Sequence, residues 1–223
     1  MRARTAVTAT AFAAATALTL TACGGGSGGG GDKISTSPST SASPSTSTAS
    51  PSEANGASLR IDPTLKLPAD LKAQFQWATP KNADQAAALS GAANYIQAID
   101  HAVTKQNKSD PGLLGYSADS ALTYAQGYVQ QNVDQKLTMT GTDRYYGPTF
   151  TMGSGGASVE VKLCNDQSKL YSKEVVGGKV HVTGASDRNY VSWDIVMVKL
   201  PTAKAVWQAR EVTVKEKALQ CKQ

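Results

Sequence analysis

The chain has 223 residues, of which 40% are hydrophobic and 17% charged, and its formal net charge is +5 at pH 7. This length suits a single domain with accessory segments. The basic residues are scattered, without a Lys/Arg run and without interleaved aromatic residues. The composition therefore argues against a nucleic-acid-binding surface and supports only weak attraction to an anionic envelope.

Residues 1–22 have the pattern of a secretory signal. Arg2 and Arg4 precede an uncharged, Ala/Thr-rich run that is too short to span a bilayer comfortably. The stretch Leu20-Thr21-Ala22-Cys23 then resembles a bacterial lipobox, in which the cysteine is diacylated and becomes the new N-terminus. The resemblance implies a lipid anchor on Cys23 at the extracellular face of the plasma membrane. The alternative is an ordinary cleaved signal followed by an incidental cysteine.

Residues 23–56 are predicted to be a disordered tether. Gly24 to Gly31 is almost pure glycine, and Ser35 to Ser52 contains only Ser, Thr, Pro and Ala. Such a segment has nothing to bury that would offset its ordering entropy. It is interpreted as a solvated linker, with O-glycosylation of the Ser/Thr-rich part as the alternative. Residues 57–223 are long enough for one globular domain.

Two cysteines, Cys164 and Cys221, remain in the predicted domain. An exported domain with two cysteines favours a disulfide between them. A reactive or metal-binding thiol is the alternative, but neither cysteine has a CxxC neighbour or a histidine close in sequence.

The first half of the domain has helical periodicity. Residues 69–75 are compatible with a helical turn or with a short extended edge. Asn82 is a candidate N-cap for a helix ending near Lys105, and Ser117 for a second helix ending near Asp134. Both helices carry an apolar stripe with a period of 3.6 residues, and a short turn at 113–116 precedes the second.

From Lys136 onward the period changes to two, as in strands. One extended run is predicted over Leu137 to Thr140, and a second, from Tyr145 to Met152, is interrupted by Gly147-Pro148. A half-buried strand covers Val159 to Cys164. Asn165-Asp166 is interpreted as a turn, and Gly177-Gly178 as the turn of a hairpin. Two strands follow, at residues 191–197 and 206–214. Helices followed by antiparallel strands predict an α+β fold, with two main helices and a short one packed on a curved sheet of four to six strands.

This order of elements resembles the cone-shaped fold of nuclear transport factor two and ketosteroid isomerase, and the whole chain is similar to actinobacterial secreted lipoproteins of that fold. The resemblance rests on the lipobox, the tether and several anchors in the domain: residues 95–103, 137–141, 147–148 and 157–168, the Gly177-Gly178 turn, Trp207 and Cys221. It implies a cavity between the helices and the sheet. It does not imply a reaction, because the fold hosts enzymes and binding modules alike.

Asp100 is the one candidate for the acid–base group that enzymes of this fold place in the cone. Its position on the first helix lies on the apolar side, where burial would raise the pKa of its carboxyl group. The alternative is a structural carboxylate near the helix end. His101 points about 100° away from Asp100, and His181 lies in a hairpin arm, so neither is predicted to be catalytic. No cofactor and no metal site is predicted.

Several aromatic residues could line a pocket for a small apolar or aromatic ligand, although core packing is the alternative for each of them. With Asp100, the candidates are Tyr95, Tyr124, Tyr128, Tyr145, Tyr146, Trp193 and Trp207.

Three functions are compatible with this sequence. The favoured one is a membrane-anchored, non-catalytic module that binds an envelope ligand or protein. The second is an isomerase or dehydratase that uses Asp100 with a tyrosine, and the third is a purely structural envelope protein. A homodimer formed through the sheet stays open, and no nucleic-acid partner is predicted.

Replacing Cys23 by Ala tests the anchor. Without the thiol that carries the lipid, the protein should leave the membrane fraction of the producing cell, as measured by fractionation and immunoblotting. Retention of Cys23→Ala in that fraction would contradict lipidation.

Overall fold

In the computed structural model, residues 59–202 and 206–223 are described. The predicted signal, Cys23 and the whole of the predicted tether lie outside these residues. The domain has three α-helices and six strands, which confirms the α+β class. None of the helices in these ranges is both long and apolar enough to cross a bilayer.

Helix α1 spans Ala83–Thr104 and begins as the sequence predicts. The Asn82 side chain accepts hydrogen bonds from the backbone N–H groups of Asp84 and Gln85, both at 3.0 Å. This cap satisfies two of the donors that a helix start leaves unpaired. Most residues of α1 from Ala88 onward are buried, so this helix is the central support of the domain.

Helices α2 (Pro111–Tyr116) and α3 (Asp119–Asp134) follow. The prediction that Ser117 caps the second main helix is wrong. Ser117 instead ends α2, where its hydroxyl group donates to the Leu113 carbonyl at 2.6 Å. The N-cap of α3 is Ala118, which has no side chain able to cap.

One sheet contains all six strands, in the order β1-β2-β3-β5-β6, with β4 paired to β3. Strand β1 runs parallel to β2, and every other pairing is antiparallel. The bounds are β1 Leu71–Gln76, β2 Leu137–Met152, β3 Ser158–Glu174, β4 Val180–His181, β5 Tyr190–Lys199 and β6 Trp207–Glu216.

The strands differ from the prediction in their length. Gly147-Pro148 does not break β2 but causes a register shift within it, and Asn165-Asp166 lies inside β3 rather than in a turn. Cross-strand partners override local turn propensity at both places. Gly177 and Gly178 do form the turn of the β3–β4 hairpin, with φ of +85° and +69°.

Helix α1 packs closely against the sheet at Gly91. A Cβ atom at this position would lie 2.8 Å from both the Cβ and the carbonyl oxygen of Trp207 and 2.9 Å from the Met197 Cε. Only glycine permits this approach, which holds α1 against β5 and β6.

On the other side of the sheet, Cys164 and Cys221 are joined, as the cysteine count predicts, with a Cα–Cα distance of 5.3 Å. The Tyr146 hydroxyl group also donates to the Cys221 carbonyl. The C-terminal segment is thereby fixed next to β3.

Gly91→Ala should lower the free energy of unfolding by about 1–2 kcal/mol, because overpacking against the Trp207 backbone outweighs the gain in helix propensity. Gly127→Ala in α3 is the matched control, since nothing lies within 4 Å of its added methyl group. That variant should gain about 0.5–1 kcal/mol. Urea unfolding measures both, and a stabilised Gly91→Ala would contradict the close packing.

Candidate functional site

A cavity of about 100 Å³ lies between α1, α3 and the face of the sheet that these helices cover. This volume is close to that of a small organic molecule with a handful of heavy atoms. Carboxyl groups, phenol rings and aliphatic side chains share its lining. The lining residues are Ile96, Ile99, Asp100, Tyr124, Tyr128, Asp143, Tyr145, Gln167, Val191, Trp193, Val214 and Glu216.

Two buried carboxyl groups dominate the chemistry of the cavity. Asp100 of α1 is 5% exposed and Asp143 of β2 is 2% exposed. The Oδ2 atom of Asp100 is buried and has no hydrogen-bond partner among the described residues. An unpaired buried carboxyl oxygen is costly, so a ligand could satisfy Asp100. The Trp193 indole N–H also lines the cavity and lacks a partner within the described ranges, so a ligand could satisfy it as well.

Asp143 is held by its neighbours. The Tyr145 hydroxyl group donates to Asp143 Oδ2 at 2.6 Å, and the Asn165 side-chain amide donates to Asp143 Oδ1. Tyr145 is two residues along the same strand, and Asn165 is the residue paired with Tyr145 across the β2–β3 ladder. Strand periodicity therefore brings all three side chains to one face.

The two carboxyl groups differ in how they carry charge. Burial raises the pKa of Asp143 to about 6, although the hydrogen bonds from Tyr145 and Asn165 favour its charged form. Burial also raises the pKa of Asp100 well above its ordinary value, and the negative charge of Asp143 raises it further. The neutral form is thus favoured more strongly at Asp100 than at Asp143, whose hydrogen bonds stabilise its charged form.

An irregularity in the β2–β3 ladder surrounds this pair. The register shifts between Thr142 and Arg144, so that β3 contains one extra residue there. Arg144 points to the other face, where its guanidinium group pairs with Asp166 at 2.9 Å. The basic side chain nearest to Asp143 in sequence is therefore already paired outside the cavity. β-Bulges often direct side chains in this way beside functional sites.

Aromatic rings form much of the remaining wall. The Tyr124 and Trp193 rings meet edge to face with centroids 5.9 Å apart, and the Tyr145 and Trp193 centroids are 6.4 Å apart. Burial raises the pKa of Tyr124 to about 12 and that of Tyr128 still higher. These phenols stay neutral and line the cavity.

Among the predicted pocket residues, Asp100, Tyr124, Tyr128 and Trp193 line this cavity, as does Tyr145. Tyr95 and Trp207 do not, which corrects their assignment. Tyr95 is fully buried in the core, with its hydroxyl group donating to the Ala121 carbonyl at 2.8 Å. Trp207 packs beneath Gly91. Tyr146 faces the C-terminal segment instead, through its bond to the Cys221 carbonyl.

Neither histidine belongs to the cavity. His101 Nδ1 lies 3.3 Å from Asp110 Oδ2 near the start of α2, and His181 Nε2 lies 3.1 Å from Glu174 Oε1 in the exposed hairpin. In the described ranges, no group of three or more His, Cys, Asp or Glu side chains could hold a metal ion.

Sequence reasoning missed Asp143, Gln167 and Glu216 as lining residues, and it missed the role of Asn165. Asp143 carried a usable signal, because it alternates with Tyr145 along an extended run and so shares its face. Asn165 carried a misleading one, since Asn-Asp is a common turn pair.

Comparisons with known proteins identify no relative that names an activity. No protein-family profile matches the chain, and no curated protein matches it. Among solved structures, the crystal structure of the intermembrane space region of the chloroplast protein ARC6 is similar with a TM-score of 0.38 and 9% identity, covering 61% of this chain and 99% of that one.

The carboxyl pair should make stability fall as the pH rises. Both groups bind protons more tightly in the folded chain than in the unfolded chain, so raising the pH from 4 to 7 favours unfolding. The expected loss is on the order of 2 kcal/mol.

Urea unfolding across this pH range measures the loss. Asp100→Asn removes one of the two groups and its charge repulsion, so the variant should lose clearly less stability over the same range. Carboxyl groups with lowered pKa, such as Asp70 beside Lys173, gain stability as the pH rises through their unfolded pKa, so they oppose the loss only in the lowest part of this window. A wild-type chain whose stability stays flat or rises from pH 4 to 7 would contradict the assignment.

Proposed function

We propose that this protein is an exported domain, tethered to the outer face of the plasma membrane through lipidated Cys23, that binds a small molecule in the cavity between α1, α3 and the sheet. The anchor rests on the resemblance of Leu20-Thr21-Ala22-Cys23 to a lipobox. The binding function rests on the cavity itself, and above all on the unpaired, buried carboxyl oxygen of Asp100.

The disulfide is consistent with export. Disulfides persist in oxidising compartments and are rare in reducing ones. A bond between Cys164 and Cys221 closes a 57-residue separation and stabilises the folded chain by about 4 kcal/mol in a chain-entropy treatment. This stabilisation helps a domain that also buries two carboxyl groups.

Binding fits the geometry better than the isomerase or dehydratase alternative. Asp100 has no tyrosine hydroxyl bonded to it. The hydroxyl group of Tyr145 is engaged by Asp143, and that of Tyr128 lies 3.6 Å from the Met139 sulfur. A catalytic acid–base pair would need its two groups in reach of one reacting atom.

Binding also fits better than a purely structural role. A protein that needed only a stable core would gain by replacing Asp100 with an apolar residue, because a buried unpaired charge or acid opposes folding. A cavity that joins this group to aromatic and aliphatic walls has the mixed character of a ligand site.

A thermal-melting screen tests the binding function. Small neutral, cationic and anionic compounds of about four to eight heavy atoms are added at pH 7, and a compound that binds the folded state raises the melting temperature. At least one compound should do so in the wild-type chain.

The cavity variant for this screen is Val214→Phe, which places a larger side chain in the half-buried lining of β6. It should abolish the shift. Val212→Phe is the matched control on the same strand and face, outside the lining, and it should keep the shift. The proposal fails if no compound raises the wild-type melting temperature, or if Val214→Phe responds as the wild type does.

A further inference from the structure

We infer that the ligand of this cavity is a small organic ammonium cation, bound by the carboxyl groups of Asp100 and Asp143 and by the surrounding aromatic rings. This inference rests on the proposed binding function and names the chemical class of the ligand.

The charge of the cavity lining favours a cation. Asp100, Asp143 and Glu216 contribute three carboxyl groups from α1, β2 and β6, and none of the lining side chains is basic. The remaining titratable groups that line it are the phenols of Tyr124, Tyr128 and Tyr145. From β3 and β5 come Gln167, Val191 and Trp193, which carry no charge. The cavity thus presents negative charge without an internal cation to neutralise it.

One acceptor in the cavity, Asp100 Oδ2, has no hydrogen-bond donor in the part of the chain that the structure describes. Asp143 already accepts bonds from Tyr145 and Asn165, whereas Asp100 Oδ2 accepts none. An ammonium group has three N–H donors and no acceptor, so it can supply the donor that Asp100 Oδ2 lacks. The Trp193 indole N–H in the same lining also has no partner among the described residues, and an ammonium group would leave it unpaired. A ligand carboxylate would instead add a negative charge beside that of Asp143 in a buried site, which is unfavourable.

Aromatic and aliphatic side chains line the cavity together with the carboxyl groups. Cations are attracted to the faces of tyrosine and tryptophan rings, especially where water is excluded. Tyr124, Tyr128 and Trp193 place such rings in the same cavity, together with the aliphatic side chains of Ile96 and Ile99. The rings would contact the ammonium group and the carbon atoms bonded to it. The aliphatic side chains would contact the rest of a short hydrocarbon group.

Binding should release a proton. Burial and the charge of Asp143 raise the pKa of Asp100 in the empty cavity, and a positive charge beside it favours its ionised form. A proton displaced from the carboxyl group goes to the solvent, while the ammonium group keeps its own protons and donates hydrogen bonds to the two carboxylates. Affinity should therefore rise with pH up to the range in which the amine itself loses its proton.

The probe is isobutylammonium, with isobutyl alcohol as its neutral isostere and isobutyrate as an anion of similar size. Binding to the full chain carrying Cys23→Ala is followed at pH 7 by calorimetry in phosphate and in MOPS. Neither buffer is an ammonium compound of the size of the probe. We expect isobutylammonium to bind at least tenfold more tightly than the alcohol. We also expect the two buffers to report release of up to one proton per ligand.

Asp100→Asn should reduce the affinity for isobutylammonium at least tenfold and abolish proton release. Asp110→Asn is the matched control, because Asp110 is equally buried, at 5% exposure, and lies outside the cavity. Should Asp100→Asn fail to fold, the proton release of the wild-type chain and its preference for the amine over the alcohol still test the inference.

Equal binding of the alcohol, tighter binding of isobutyrate, or undiminished binding of the amine by Asp100→Asn would overturn the ammonium assignment. Suppose that isobutylammonium does not bind, while a neutral compound raises the melting temperature of the wild type but not of Val214→Phe. This result would also overturn the ammonium assignment, and it would leave the binding function standing. If no compound of the melting screen binds, both proposals fall.

Discussion

The close packing of α1 against the sheet is the constraint on which the rest of the domain depends. Gly91 lets the helix approach Trp207 and Met197 more closely than any other residue would allow. From Ala88 onward, most of the helix is then buried, including Asp100. A carboxyl group in that position cannot reach solvent, and so its properties follow from the packing of the helix rather than from a local sequence motif. The acid in the cavity is thus a consequence of how the core is built.

The sheet supplies the second carboxyl group by a different route. Asp143 faces inward because of the alternation along β2, and its neighbours Tyr145 and Asn165 are placed by the same alternation and by the register with β3. The outward neighbour Arg144 is paired with Asp166 on the opposite face, so no cation of β2 reaches the cavity. Hydrogen bonds from the sheet therefore hold Asp143 in place, whereas on α1 the Oδ2 atom of Asp100 has no partner in the described domain. This asymmetry is why the charged form is favoured more at Asp143 than at Asp100.

The helices, their apolar faces and the α+β class could be predicted because they follow from periodicity and capping. Asn82 caps α1 as expected, and the alternation of β5 and β6 is visible in the residues themselves. What could not be predicted depends on pairing between distant segments. Asn165-Asp166 has the local chemistry of a turn, yet β2 and β5 on either side hold it in a strand. For the same reason Asp100 could be identified from its own helix, while Asp143 needed the register of the sheet.

The free-energy cost of burying Asp100 and Asp143 in the empty domain supports a binding function for the cavity. Two carboxyl groups in one core oppose folding at neutral pH, and the unpaired Asp100 oxygen adds to this cost. A ligand that supplies donors and positive charge removes part of the cost when it binds, so its binding free energy includes the relief of a penalty that the empty domain carries. A neutral ligand could supply a donor to the Asp100 oxygen, but it would add no positive charge beside the carboxyl pair. The features that lower the stability of the empty domain are therefore those that favour an ammonium compound over a neutral molecule of the same shape.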